Sequence, residues 1–386
     1  MNRATLAVGF VLFVAMMGSN VPAPLYELYR VHFATTTFVM TGVFAIYPIA
    51  LVLMLIAFAR LPDAIGRRPV LVLSIVAAAL GTIAFAVAQS VAVLFAGRVL
   101  AAVAIGAAGA AGPPALVELD AAHDRRRAAL VATFAFSLGC GVSPFMAGLL
   151  AVATPWPLVA PFVAQLVLCA VAFAALALIP ESRPARTSAA APAEPLTAPA
   201  RRAFAAAMLT SGIVWWLASL FISILPAFVA TLLGVRSPAI QGAIALAVFA
   251  ISPLAQVAGR GISDRFASRA GLIGTVVALA AILGAVPLHS LLLLGAGTVV
   301  AGIAHGLGFL GAQSTVNRVA PAAARARLSA LFYAFTYACI GVTVLVVGAL
   351  TERLGLYDAL AIVAASVAAA ALILAAILPR GEPAAG

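Results

Sequence analysis

Lysine is absent from this 386-residue chain and acidic residues are few: 22 arginines stand against 11 aspartates and glutamates, a formal charge of +11. Only 9% of residues are charged while 65% are hydrophobic. Soluble domains run near about a quarter charged and about half apolar. A water-soluble fold has no way to hide this much apolar side chain, so lipid is the solvent for most of it. The arginines lie in small groups rather than on one face, which argues against nucleic acid as a partner. Cysteine is equally scarce. Cys140, Cys169 and Cys339 fall inside apolar runs, too scattered for a metal site or disulfides, and read as small buried hydrophobes. There is no G-x4-G-K-[ST] loop, no metal-ligand cluster among four histidines and three cysteines, and no soluble stretch large enough for an active site. Neither an enzyme nor a metal or organic cofactor is expected. A membrane-embedded sensor or enzyme stays as the remote alternative. Arginine in place of lysine, with abundant alanine, is the composition of a GC-rich bacterial genome, so the bacterial inner (plasma) membrane is the expected location.

What the chain does have is long apolar runs. A transmembrane helix needs about 20 mainly apolar residues. Such runs fall near 6–26, 38–58, 69–88, 91–115, 128–150 and 157–179, and again near 203–232, 238–258, 270–287, 290–314, 328–350 and 357–379. They are continuous rather than alternating, which predicts helices and not barrel strands. The expected fold is all-α and integral to the membrane: twelve transmembrane helices in two pseudo-symmetric six-helix halves, residues 1–179 and 203–386. Between the halves, PESRPARTSAAAPAEPLTAPARR (180–202) holds five prolines and reads as an exposed, largely unstructured cytoplasmic linker.

The N-terminus, MNRATLAVGFVLFVAMMGSNVPAPLYELY, has the basic start, apolar run and V-P-A of a removable signal peptide. Pro24 directly after Ala23 opposes cleavage there, and losing the segment would break the twofold pattern of spans. A retained first helix is expected.

With the N-terminus inside, eighteen arginines fall in cytoplasmic segments: Arg3, Arg60, Arg67, Arg68, Arg125, Arg126, Arg127, Arg183, Arg186, Arg201, Arg202, Arg260, Arg265, Arg269, Arg318, Arg325, Arg327 and Arg380. Arg30, Arg236 and Arg353 fall outside, and Arg98 lies within a span. This distribution obeys the positive-inside rule and places both termini in the cytoplasm. The rule needs only basic residues, so it leaves Asp63 and Gly66 in the loop after the second span unexplained.

Those two residues belong to Ala59-Arg60-Leu61-Pro62-Asp63-Ala64-Ile65-Gly66-Arg67-Arg68. The stretch resembles the loop 2–3 motif of the major facilitator superfamily, G-x-L-a-D-r-x-G-r-r. It keeps the Leu, Asp, Gly and two basic positions and departs at Ala59 and Ala64. A degenerate second copy, Ser263-Asp264-Arg265, follows the eighth span, with Asp264 201 residues after Asp63. The resemblance implies a transporter whose two halves rock about a central site. It also implies a cytoplasmic latch between the halves at Asp63, Gly66, Arg67 and Arg68, with Asp264 and Arg265 in the second copy. A carboxylate near a helix N-terminus is favoured by the helix dipole, and arginine forks bridge to carboxylates or carbonyls. In the fifth span, Gly139-Cys140-Gly141-Val142-Ser143-Pro144-Phe145-Met146-Ala147-Gly148 resembles the G-x3-G-P-x2-G-G pattern of proton-driven exporters in this superfamily. Ser143 and Ala147 stand where glycine is usual. Small residues with a proline also suit ordinary close packing of membrane helices.

An ionisable group inside a span is expensive and is a functional candidate by default. Arg98, in LFAGRVLAAVAIG, resembles the arginine of the family's fourth-helix motif, R-x-x-x-G, although Ala102 replaces the glycine. The resemblance ties it to proton coupling; the alternative is an arginine snorkelling to the outer interface. His305, in AGIAHGLGF, aligns with Ile105, which shares a helix face with Arg98. It is either a coupling histidine on the central cavity or a neutral histidine bonded to a neighbouring helix. Asn20 and Glu27 are seven apart on the first span, and Glu27 is either a partner for Arg98 or a solvated interfacial carboxylate. Trp215 and Trp216 in the seventh span, and Phe332, Tyr333 and Tyr337 in the eleventh, either line an aromatic cavity or pack between helices; Trp216 and Tyr337 are taken as cavity candidates. Glu118, Asp120, Asp124 and Arg125 to Arg127 read as a solvated cluster.

The expected function is secondary active transport of a small molecule by alternating access, as a monomer in the lipid bilayer. Proton-coupled efflux of a drug-like compound or metabolite leads, with the proton gradient as energy source. Proton-linked uptake and uncoupled facilitation are the alternatives.

Overall fold

The computed structural model describes residues 2–119, 124–181, 196–321 and 324–378. Most of the 180–202 linker, including Arg183 and Arg186, lies outside the described residues, as do Asp120, Arg380 and the side chains of Arg125, Arg126 and Arg325. Among the described residues, twelve helices are long and apolar enough to cross a membrane. In chain order they are α1 Arg3–His32, α2 Thr37–Ala57, α3 Arg67–Ala86, α4 Val91–Leu119, α5 Arg127–Ala153 and α6 Ala160–Leu178, followed by α7 Ala198–Ser223, α8 Pro238–Ala258, α9 Asp264–Gly284, α10 Leu291–Val319, α11 Arg327–Leu354 and α12 Leu356–Ile377. Each coincides with one expected run, and the all-α membrane fold is as expected. Several extend beyond their run. Helical hydrogen bonding carries α4 on to Leu119 and α10 to Val319, past the apolar window.

The first helix of each set of six is interrupted. Within α1, regular helix ends at Asn20, a 3-10 turn follows over Ala23–Leu25, and helix resumes over Tyr26–His32. Pro22 and Pro24 have no N–H to return to the preceding turn, which loosens the ladder here. The seventh run, expected to be unbroken over 203–232, also breaks. Helix α7 ends at Ser223, and a short helix over Leu225–Leu232 begins with Pro226 in its first turn. The reason is again a proline, acceptable at a helix start and not inside one.

By packing, the chain falls into two compact units, residues 1–188 with 222–246 and residues 189–221 with 247–386. In the first, α1 packs on α4, α5 and α6, while α3 packs on α4. In the second, α9 lies along α10 and α12. Without a hydrophobic force between helices in lipid, close approach depends on small residues. A Cβ on Gly81 would stand 3.1 Å from the Gly97 carbonyl across the α3–α4 contact, and Gly271 meets the backbone of Gly308 across α9–α10.

Apolar side chains cover the outside as well as filling the core. Leu53, Ile56, Ile373 and Ile377 are exposed, as lipid-facing side chains should be, whereas Ser74, Thr82, Gln165 and Thr275 are buried. Buried polar groups need partners. Ser74 Oγ donates to the Ala104 carbonyl at 2.8 Å and Gln165 Nε2 to the Val14 carbonyl at 2.9 Å, each tying two helices together.

Candidate functional site

In the first unit the site is built around Arg98 on α4, only 1% exposed, so it does not snorkel to an interface. Its Nη1 donates to the main-chain carbonyl of Ser19, in the last regular turn of α1 before Pro22 and Pro24. The broken helix thus offers a carbonyl to a cation in the interior. The guanidinium carbon lies 4.5 Å from the Tyr47 ring centroid and 5.3 Å from that of Phe44. Those residues are three apart on α2 and share a face, and cation–π attraction is strongest where water is excluded. Arg98 Nε and the Tyr26 hydroxyl are buried with no hydrogen-bond partner among the described residues.

Asn20 is buried beside this group but turns toward α5. Its Nδ2 donates to the Met16 carbonyl at 3.1 Å and to Ser19 Oγ at 2.8 Å, and lies 3.8 Å from Cys140 Sγ. Glu27 does not pair with Arg98. Arg30 holds it in a fork, Nε to Oε2 at 2.8 Å and Nη2 to Oε1 at 2.6 Å, with both side chains about one-third exposed (36% and 31%). One helical turn separates Glu27 from Arg30. Glu27 is therefore a partly exposed carboxylate paired within its own helix. Ser19, Phe44 and Tyr47 were missed from sequence; the two prolines inside an apolar run were the available signal.

In the second unit His305 on α10 is 2% exposed. Its Nδ1 lies 2.7 Å from Ser252 Oγ on α8, and its Nε2 is buried without a partner among the described residues. Trp215 stands edge-on to the imidazole at 4.6 Å between centroids, Phe249 at 6.1 Å, and Phe309 is parallel to it at 6.1 Å. Tyr337 joins through Trp215 at 6.3 Å. The expected Trp216 does not take part in this aromatic group. Consecutive helical residues point about 100° apart, so Trp215 faces the histidine while Trp216 is buried elsewhere in the core. The bond to Ser252 matches the hydrogen-bonded alternative for His305.

The charged loops form ion pairs inside each unit. Arg67 Nη1 donates to Asp63 Oδ1 at 2.7 Å, and Nη2 and Nε donate to Glu118 Oε1 at 3.0 and 3.2 Å. Glu118 is thus not a free solvated carboxylate but ties the end of α4 to the start of α3. Gly66, with φ of 101°, turns the chain between the short helix Leu61–Ile65 and α3, and a Cβ there would collide with the Glu181 carboxylate. In the second unit Arg318 Nε donates to Asp264 Oδ2 at 3.1 Å, joining the end of α10 to the start of α9. Arg68 makes a half-buried position on α3.

The fifth-helix residues are contact points. A Cβ on Gly139 would lie 2.8 Å from Met16 Cβ and from the Phe13 carbonyl of α1. Ser143 Oγ donates to the Met17 carbonyl at 2.7 Å. Gly148 abuts the Pro238 carbonyl and Gly242 abuts that of Pro144, so α5 and the start of α8 touch backbone to backbone. Gly242 was not singled out from sequence.

The family model described as Major Facilitator Superfamily matches residues 8–288. No curated protein matches the chain in sequence. Among solved structures, a POT-family transporter in complex with a thioalcohol-conjugated peptide is similar with a TM-score of 0.78 at 13% identity, covering 96% of this chain and 95% of that one. Another POT-family transporter, in complex with 5-aminolevulinic acid, is similar at 0.76 and 14%, covering 98% and 96%. The human organic anion transporter MFSD10 is similar at 0.68 and 17%, covering 97% and 99%. At these identities the likeness is one of fold. Family and fold together make this a multi-pass membrane protein of a transporter family, and the chain belongs to the major facilitator superfamily.

Proposed function

We propose that the protein is a monomeric secondary transporter of the inner membrane that exports a small amphiphilic molecule bearing an anionic group, driven by the proton gradient. The observation that carries this is Arg98. A guanidinium at 1% exposure, held by a carbonyl and two aromatic rings, has no carboxylate paired with it among the described residues. An uncompensated buried charge costs several kcal/mol, so a counter-ion that arrives with the substrate lowers the free energy of the loaded state. The rings of Tyr47 and Phe44 offer an apolar wall to the rest of the molecule. The likeness of Gly139, Ser143, Pro144 and Gly148 to the exporter pattern, beside their packing role, supports export over import. His305, with Nε2 unpartnered, is the candidate carrier of the coupling proton. The cytoplasmic latch at Asp63, Gly66, Arg67, Arg68, Asp264 and Arg265 belongs to the same proposal.

A second reading, uncoupled facilitation or uptake, is favoured by one observation: no aspartate or glutamate among the described residues is buried. Inside-out vesicles separate the two. With an imposed proton gradient and a pH-reporting dye, an organic-anion substrate should collapse the gradient in wild-type vesicles and not in Arg98→Ala vesicles. Substrate flux with no proton movement would replace coupled export by facilitation.

A further inference from the structure

At the arginine-rich end of the second unit lies a cavity of about 770 Å³, which shares Asp264 and Arg265 with the proposed latch. Arg202, Arg265 and Arg318 line it. Asp264 also lines it and is bonded to Arg318, so three positive charges and one negative leave a net +2 at the cavity. Arg265 leaves its Nε buried with no hydrogen-bond partner among the described residues. Two helices begin here, α7 after Thr197 and α9 after Ser263, and both flanking residues line the cavity. Thr197 Oγ1 accepts from the Ala200 N–H at 3.4 Å and Ser263 Oγ from the Phe266 N–H at 3.3 Å, so the positive ends of both helix dipoles face the same space. Convergent guanidinium groups, two helix N-termini and an unpartnered buried N–H are a combination that favours an anion with several acceptor oxygens.

We propose that this cavity binds a phosphate group, carried by an anionic phospholipid or free as inorganic phosphate. A net +2 matches a phosphate better than a lone carboxylate, and arginine forks match its tetrahedral oxygens. Apolar wall residues such as Ala206 and Val319 suit the first methylenes of a lipid's acyl chains, and basic pockets between transmembrane helices are a recurrent headgroup site. The site contains neither Arg98 nor His305, so failure to bind phosphate would leave the substrate and proton roles proposed for those residues untouched.

The test is non-denaturing mass spectrometry of the purified full chain with equal amounts of phosphatidylglycerol and phosphatidylcholine. Wild type should retain one phosphatidylglycerol and discriminate against phosphatidylcholine. Arg265→Gln and Arg202→Gln should each weaken retention by about tenfold, equivalent to about 1.4 kcal/mol. Arg269→Gln, an exposed arginine of α9 that does not line the cavity, should behave as wild type and so controls for general attraction to a basic protein. Arg202 is exposed, so its variant keeps the test decisive where Arg265→Gln fails to fold. Inorganic phosphate added to lipid-free protein at constant ionic strength identifies the source: a rise in Tm over chloride that Arg202→Gln abolishes assigns free phosphate. Equal retention of both lipids with no phosphate-dependent rise in Tm overturns the proposal, as does a loss shared by Arg269→Gln.

Discussion

Arg98 on α4 donates to the carbonyl of Ser19 on α1, one turn before Pro22 and Pro24 interrupt that helix. A side chain that the bilayer would reject is held by a main-chain acceptor at a helix break. Irregular backbone at membrane depth is tolerated where it lines a cavity or is buried in protein. The relationship makes the break in α1 and the charge on α4 a single feature.

Arg98→Ala should therefore abolish transport while membrane insertion and folding persist. Arg98→Lys should not rescue it, because an ammonium lacks the planar face that lies against Tyr47 and Phe44. The check is vesicle transport beside a detergent-solubilised melting curve. We expect activity to fall by at least about tenfold, or about 1.4 kcal/mol; full activity in either variant would remove Arg98 from the mechanism.

Asp63→Asn and Glu118→Gln should differ in stability. Asp63 is 60% exposed at its side chain and Glu118 30%, while Arg67 is 8% exposed. An exposed pair contributes about 0.2–1 kcal/mol, so Asp63→Asn should lower Tm only slightly and Glu118→Gln by more. The double variant, which leaves Arg67 without either carboxylate, should lose more than the sum of the two. If Asp63 also serves the latch, its variant slows turnover more than it weakens substrate binding. Rate and binding measured together decide this.

Ser252→Ala and His305→Gln should change the pH profile of transport in the same sense, since Ser252 Oγ fixes the imidazole through Nδ1. An unchanged profile in His305→Gln would reduce the residue to packing.

Gly148→Ala and Gly242→Ala place a methyl group against the Pro238 and Pro144 carbonyls, whose backbones have no rotamer to yield. Overpacking of this kind costs about 1–3 kcal/mol. Gly109→Ala, with open space around its Cβ position, should be neutral. Comparing the melting temperatures of the three variants checks the assignment of the fifth-helix pattern to close packing.

Trp215→Ala should weaken substrate binding with modest loss of stability, whereas Trp216→Ala should chiefly destabilise. Trp216 is 2% exposed and packs in the core, while Trp215 presents its ring to His305 and Tyr337. Equal effects of the two on binding would contradict the division.

The number, type and order of the helices were legible because the bilayer sets one demand, about 20 apolar residues per crossing, and the described residues meet it twelve times. The correspondence of Asp63 and Asp264, 201 residues apart in the chain, rests on the sequence repeat alone. Side-chain partners were not legible. Glu27 lay at a helical interval from Asn20, but the prolines between them break the periodicity on which a shared face depends. Trp215 and Trp216 were indistinguishable until the rotation of α7 was known. Glu118 looked solvated because Arg67, its partner, is 51 residues away. Composition and spacing along one chain thus determined the solvent, the spans and the candidate charges. Only the tertiary structure decided which carbonyl receives Arg98 and which ring meets His305, because those contacts depend on how separate helices rotate and approach, which no periodicity within a single helix encodes.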